Sequence, residues 1–417
     1  MDVGATDGAW HHPCGRDRAW PTPARGAPVR RVVVTGVGAV SPGGVGTDAL
    51  WDLVVRPSDA PIDATVPGWD ASRWFERREL RRTDDYVAYA VAAAEEADAA
   101  AGSPRPDPLR RAVVLGNVFG PSIAVEQAVG TAHAEGEDAV PASVGLLAST
   151  SSAAATVAQR FGARGPTTVV AGACAAGTHA LGQAAALVAT GEVDVAWAGG
   201  TEAAIAPVLQ ASYANLRALS PTGWVRPFDR RRDGFVFGLG AAVLVLEALE
   251  DAVARGAPVL GEVAGWANTN DAAHSVRPSG DGAVEAMTLA LVRAGVEPGA
   301  VAHVNAHGTG TVLNDAAEAA AVGRVCGPHR PPITSVKRVT GHGVGAAGAI
   351  EAVVALRSMA ERRLPPSGID AEPDPALADA DIVWGEPRSW EPGPVVSNSF
   401  GIGGMNGSVV LLPPGWR

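Results

Sequence analysis

Short apolar runs alternate along this chain with longer segments of helical spacing. RRVVVTGVGAVSP (30–42) predicts a strand running into a glycine-rich turn, and TDALWDLVV (47–55) a helix. TDDYVAYAVAAAEEADAAAG (83–102) predicts a helix capped by Thr or Asp and stopped by Gly. RAVVLGNV (111–118), TTVVAGA (167–173) and VDVAWAGG (193–200) are further strands, with a helix from Cys174 to about Thr190 before the last of them. GAAVLVLEAL (240–249) closes this half. The second half repeats the rhythm. APVLGEVAGWAN, VAHVNAHG and PITSV are strand-like; GAVEAMTLALVRAG, NDAAEAAAVGRVCG and GAAGAIEAVVALRSMAERR are helical; NGSVVLLPP (406–414) is a closing strand. Strands in such alternation form largely parallel sheets covered on both faces, and the repeated rhythm points to an internal duplication.

Composition narrows the class. The 417 residues are 47% hydrophobic and 18% charged, enough for one large α/β domain or two fused halves. No unbroken apolar run reaches a membrane-spanning length, so no membrane association is expected. Residues 1–29 lack a signal-peptide core and read as a flexible extension; 30–255 and 256–417 are the two halves. His11, His12 and Cys14 sit together in the extension, but no second cluster completes a site, so no metal is expected. A net charge of −11 argues against nucleic-acid binding. Two basic runs, RRELRR (77–82) and RRR (230–232), read as solvated faces or as a docking patch for an acidic partner. Three cysteines make no disulfide framework, which fits a reducing, cytoplasmic setting.

Lys337 is the only lysine among 33 basic residues, five positions before His342. Arginine carries a bulky planar fork, whereas lysine carries a compact ammonium that suits a buried site. Cys174 lies where a strand ends and a helix begins, among small residues that permit close approach. A helix N-terminus there would lower the thiol pKa. His307 and His342 are flanked by glycines at strand–turn–helix junctions, where α/β sites gather. SNSFGIGGMNGS (397–408) reads as a glycine-rich loop able to turn backbone N–H groups toward an oxyanion.

These segments, with RPFDRRRDGFV (226–236), HGTGTVLND and GHGVGAAGAIEA, resemble the signatures of the β-ketoacyl synthases, from about residue 31 to 412 and in the same order. The resemblance implies an α/β thiolase-like fold of duplicated βαβαβαββ halves in α-β-α-β-α layers. It implies a homodimer, or a heterodimer with a paralogous subunit, served by an acyl carrier protein. It implies acyl loading on Cys174, then decarboxylative condensation with a malonyl thioester in polyketide or fatty-acid biosynthesis. Carried over, His307 and His342 would stabilise the enolate and Lys337 would hold charge beside His307, with Glu351 near it. Backbone N–H groups of Cys174 and Ile402 would form the oxyanion hole. Thr309, Thr311, Phe400 and Ile402 would contact the pantetheine arm; Asp315 and Glu318 would support the site. No intrinsic cofactor is implied, only phosphopantetheine-bound acyl groups.

The chain departs from the family pattern in places. Ile402 replaces the Phe that gates the acyl pocket, Leu239 replaces an acid, and Arg338 follows Lys337 where a small residue is common. The stretches around 57–75 and 120–150 look shorter than usual, which would reshape the entrance and the acyl pocket. Two alternatives follow: a standalone ketosynthase-like enzyme that cyclises or transfers a carrier-bound chain without extending it, and a non-catalytic partner subunit.

Overall fold

The computed structural model describes residues 29–56 and 61–416. The extension, with His11, His12 and Cys14, lies outside them apart from Val29. The first half runs β1 (Val32–Ser41), α1 (Asp85–Ala100), β2 (Arg111–Gly116), α2 (Ser152–Phe161), β3 (Thr167–Val170), α3 (Ala176–Ala189), β4 (Val195–Glu202), β5 (Gly240–Ala248). The second runs β6 (Gly261–Asn270), α4 (Asp281–Ala294), β7 (His303–Asn305), α5 (Val312–Cys326), β8 (Ile333–Thr334), α6 (Ala347–Glu361), β9 (Val395–Gly401), β10 (Met405–Leu412). Each is βαβαβαββ.

The sheet order is β3-β2-β4-β5-β1-β6-β10-β9-β7-β8, with the two-residue strand Gly44–Val45 beside β1. Counted within each half, this is the third, second, fourth, fifth and first strand, mirrored about the middle. Pairings repeat too: β2 is parallel to β3 and β4, while β5 is antiparallel to β4 and β1. In the second half β7 is parallel to β8 and β9, while β10 is antiparallel to β9 and β6. The seam between halves is narrow, Val33 opposite Glu262 and Val34 opposite Gly261.

Strand periodicity builds the layers. Along β5, Ala241, Val243 and Val245 face one core, and Ala242, Leu244 and Leu246 face another. The second of these lies between the two halves of the sheet and holds α3 and α6; the first lies under α1, and a third lies under α4. The result is five layers. Small residues let the central helices meet: a Cβ on Gly177 would reach Gly345 O at 2.9 Å, and one on Gly348 would reach Thr178 Oγ1 at 2.1 Å. This close packing brings the N-terminal ends of α3 and α6 together, and with them Cys174 and His342.

Four expectations need correction. The sheet is not largely parallel: along its path four pairings are parallel and five antiparallel, because the first and last strands of each half, together with the seam, run against their neighbours. The glycines of 30–42 do not make a turn. Gly36 and Gly38 lie inside β1, because a Cβ there would meet the α1 backbone oxygens of Ala97 and Ala93 at 2.1 and 2.0 Å. The glycine-rich segment 397–408 is mostly a hairpin of β9 and β10, with only Ile402–Gly404 between strands. The helix expected from Cys174 starts at Ala176, and Cys174 sits in the 3₁₀ turn Ala173–Ala175 before it. Of the basic runs, 230–232 is ion-paired to Glu372, Asp229, Asp370 and Asp374, whereas 77–82 is largely exposed. Among the described residues no helix is long and apolar enough to cross a membrane.

Candidate active site

Cys174, His307 and His342 converge from three turns. One ligand-type atom from each, the sulfur and a nitrogen of each ring, lies within 4.8 Å of the other two. The imidazole centroids are 5.1 Å apart. The turns are strained to do this. Ala173, just before the cysteine, has φ +48°, and Val344, two residues after His342, has φ +45°. Left-handed backbone is costly for Ala and more so for a β-branched residue, and such strain concentrates at functional sites.

Lys337 is fully buried. Its ammonium donates to His307 O at 2.5 Å, approaches His307 Nδ1 at 3.4 Å, and pairs with Glu351. A donor facing Nδ1 leaves the neutral ring's proton on Nε2. Desolvation first, then the Lys337 charge, holds His307 and His342 well below the usual histidine value, so both rings are neutral near pH 7. Lys337 also disfavours a second cation, so the cluster suits a nucleophile with two neutral imidazoles better than a metal.

Burial pushes the Cys174 thiol up to about 11. The Lys337 charge and the backbone N–H groups of Ile402 and Cys174 pull the other way and lose. The lowered pKa expected from the helix N-terminus is therefore not what the surroundings produce. The thiol nonetheless opens onto the pocket, and two amides act on its sulfur.

Buried carboxylates fasten the loops. Glu318 accepts from His307 N and Gly308 N, both at 2.8 Å. Asp315 accepts from Phe228 N at 2.7 Å and Gly310 N at 3.2 Å. Burial pushes Glu318 and Glu351 up to about 7 and Asp315 to about 6. Thr309 and Thr311 hydroxyls lie 3.0 Å apart on the pocket wall, and Thr311 also caps α5. Phe400 lies in β9, its ring 6.1 Å from His307; Ile402 is at the hairpin tip, 37% exposed. Both line the pocket, whose volume is about 370 Å³.

Sequence reading missed Glu202. At the end of β4, fully buried, it accepts from Val118, Phe119 and Gly120 N at 2.9, 3.0 and 2.7 Å, and from Gly345 N at 3.2 Å. It ties the loop after β2 to the loop of His342. The available signal was an acid closing an otherwise apolar strand. Also missed were Tyr213, Phe235 and Phe237, which line the pocket from scattered positions. At the other departures, Leu239 is buried against the outer core of the first half, and the Arg338 guanidinium lies over the Trp224 ring at 4.3 Å.

Family models match in both halves: the β-ketoacyl synthase N-terminal domain at residues 70–252 and the C-terminal domain at 260–368. The chain belongs to the β-ketoacyl synthase family. It is 37% identical to the 3-oxoacyl-[acyl-carrier-protein] synthase 2 of Synechocystis sp., covering 90% of this chain and 96% of that one. Among solved structures it is similar to the ishigamide ketosynthase/chain length factor, with 33% identity, a TM-score of 0.87, and 93% and 100% of the two chains covered. It is also similar to a type II PKS acyl-carrier protein complex with its ketosynthase bound to the hexaketide, with 29% identity, a TM-score of 0.83, and 92% and 99% covered. The thiolase-like architecture expected from the sequence is the one these ketosynthases share.

Proposed function

We propose that this protein is a condensing acyltransferase that loads an acyl group on Cys174 and extends it with a malonyl thioester carried on an acyl carrier protein. The observation that carries this reading is the convergence of Cys174, His307 and His342, with the Cys174 and Ile402 amides on the sulfur. The first half, 30–255, supplies the nucleophile; the second, 256–417, supplies the histidines, Lys337 and the Ile402 amide.

In the first step the Cys174 sulfur bonds to the acyl carbonyl carbon. The carbon–sulfur bond to pantetheine breaks, and the leaving sulfur ends with the thiol proton. Both amides stabilise the transient oxyanion; such a preorganised donor is worth about 10²–10³ in rate. In the second step a malonyl thioester loses carbon dioxide. His307 Nε2–H and the neutral His342 donate to the thioester oxygen as it becomes an enolate. The enolate carbon attacks the acyl–Cys174 carbonyl, the cysteine sulfur leaves as a thiolate, and it takes one proton from solvent to restore the thiol. The product is a β-ketoacyl thioester on the carrier.

Thr309, Thr311, Phe400 and Ile402 contact the pantetheine arm, while Glu351, Asp315 and Glu318 hold the loops. The assembly is a homodimer, or a heterodimer with a paralogous subunit, working in the cytoplasm. Intact masses of both proteins test this, after incubation with an acyl carrier thioester and then malonyl carrier protein. Acyl-Cys174 followed by a product longer by a two-carbon ketide unit supports extension. Acyl-Cys174 with malonyl thioester untouched replaces it with cyclisation or transfer. No acylation at all makes the chain a non-catalytic partner.

A further inference from the structure

The pocket is walled by rings to a degree the composition does not explain. The chain has only seven Phe and three Tyr. Four of those Phe and one Tyr form a continuous series with the two histidines. Phe400 contacts His307 at 6.1 Å, His307 contacts His342, and His342 contacts Phe235 at 5.1 Å. Phe235 contacts Phe237 at 5.2 Å, Phe237 contacts Tyr213 at 5.3 Å, and Phe119 closes the series against Tyr213 at 5.8 Å. Every contact is edge to face, with interplanar angles from 65° to 89°. Edge-to-face packing leaves ring faces unstacked, and a flat π-system prefers such faces or edges over a bare hydrocarbon.

The wall is rigid and in register with the chemistry. His342 N donates to Val236 O at 2.8 Å, and Gly238 N donates to His342 O at 2.9 Å, so the extended segment bearing Phe235 and Phe237 is bonded to the backbone of the histidine itself. Phe235 N donates to Ala218 O and Ser220 N to Phe235 O. Glu202 fixes Phe119 from behind. A rigid slot favours a ligand that is already planar, because less internal rotation is lost on binding.

We infer that the acyl group this site selects is flat and conjugated, an enoyl, polyenoyl or aryl chain, held against Tyr213, Phe235 and Phe237. This rests on the condensing-enzyme reading and adds the substrate class to it.

Binding separates recognition from reactivity. The Cys174→Ala protein is titrated calorimetrically with stable pantetheine amides in two matched pairs: cinnamoyl against 3-phenylpropanoyl, and 2,4-hexadienoyl against hexanoyl. The conjugated member of each pair should bind at least about fivefold tighter. Adding Phe237→Leu should bring the ratio toward one. Saturated amides that bind as well as their conjugated partners, or a ratio untouched by Phe237→Leu, overturn the inference and leave the condensing reading standing. If none of the four amides binds, the condensing reading fails and takes this inference with it.

Discussion

Replacing Lys337 with arginine tests the electrostatic core of the site while conserving charge. The ammonium has no exposed surface and serves three partners at once: His307 O, His307 Nδ1 and Glu351. A guanidinium can keep the Glu351 pair, but its planar fork cannot also reproduce both contacts to His307. Its extra bulk in a closed site costs about 1–3 kcal/mol of stability by overpacking. Removing the cation outright would strand Glu351 and cost about 3–5 kcal/mol, so Lys337→Arg is the gentler change. A donor acting directly on the reacting oxygen is worth about 3–4 kcal/mol; Lys337 acts through His307, so about 2 kcal/mol is expected. That is a roughly 30-fold slower decarboxylation. Acylation of Cys174 should stay within about threefold of wild type, since the positive charge that favours the thiolate is retained. Carbon dioxide release from malonyl carrier protein measures the first quantity, and single-turnover intact mass the second. A folded Lys337→Arg protein that decarboxylates at the wild-type rate refutes the reasoning. Equal loss in both half-reactions would assign Lys337 to the thiolate instead of to the His307 tautomer.

Cys174→Ala should abolish covalent acylation, and the wild-type thiol, pushed up to about 11, should alkylate with iodoacetamide about tenfold faster per pH unit between pH 7 and 9; a plateau by about pH 8 would restore the low-pKa thiolate. Because both imidazoles are held well below the ordinary histidine value of 6.5, decarboxylation should show no inflection at that pH. The same rings titrate freely when unfolded, so their contribution to stability is complete above 6.5 and is lost as pH falls below it; thermal melts of His307→Gln against wild type check the sign. Glu202→Gln replaces one of two carboxylate oxygens, each accepting from two backbone N–H groups, by an amide donor, and should lower decarboxylation and acylation together while Glu202→Asp keeps part of both; a variant with unchanged kinetics would reduce Glu202 to packing.

Much of the fold was legible because its strands are continuous apolar runs and its helices carry clear stops. What was hidden had non-local causes. Gly36 and Gly38 look like turn residues until the α1 backbone is set against them. β9 escaped notice because Ser397, Asn398 and Ser399 interrupt the apolar pattern. All three are buried. Ser397 Oγ accepts from Asn305 at 2.9 Å, Asn398 Oδ1 accepts from Ser408 at 2.8 Å, and Ser399 meets Thr178 at 2.7 Å. Cys174, His307, Lys337 and His342 stood out because rare, chemistry-bearing residues sat beside small ones at junctions. Glu202 and the aromatic wall did not, because their meaning exists only once positions 117–120, 202, 213 and 235–237 are adjacent.

The duplication explains why the site lies where it does. In the shared strand order, the turn carrying Cys174 leads from β3 into α3, and the turn carrying Lys337 and His342 leads from β8 into α6. These are equivalent connections in the two halves. The loop after β2, held by Glu202, is likewise the counterpart of the His307 loop after β7, held by Glu318. In both, a buried carboxylate gathers consecutive backbone N–H groups and freezes the loop. One half carries a cysteine at its β–α junction, the other a buried cation and an imidazole. Close contact at Gly177, Gly345 and Gly348 sets the two face to face. A Cβ at Gly345 would lie 2.6 Å from Asn117 Cα and 2.9 Å from Glu202 Oε2, so a bulkier residue there would push apart the two loops that Glu202 ties together.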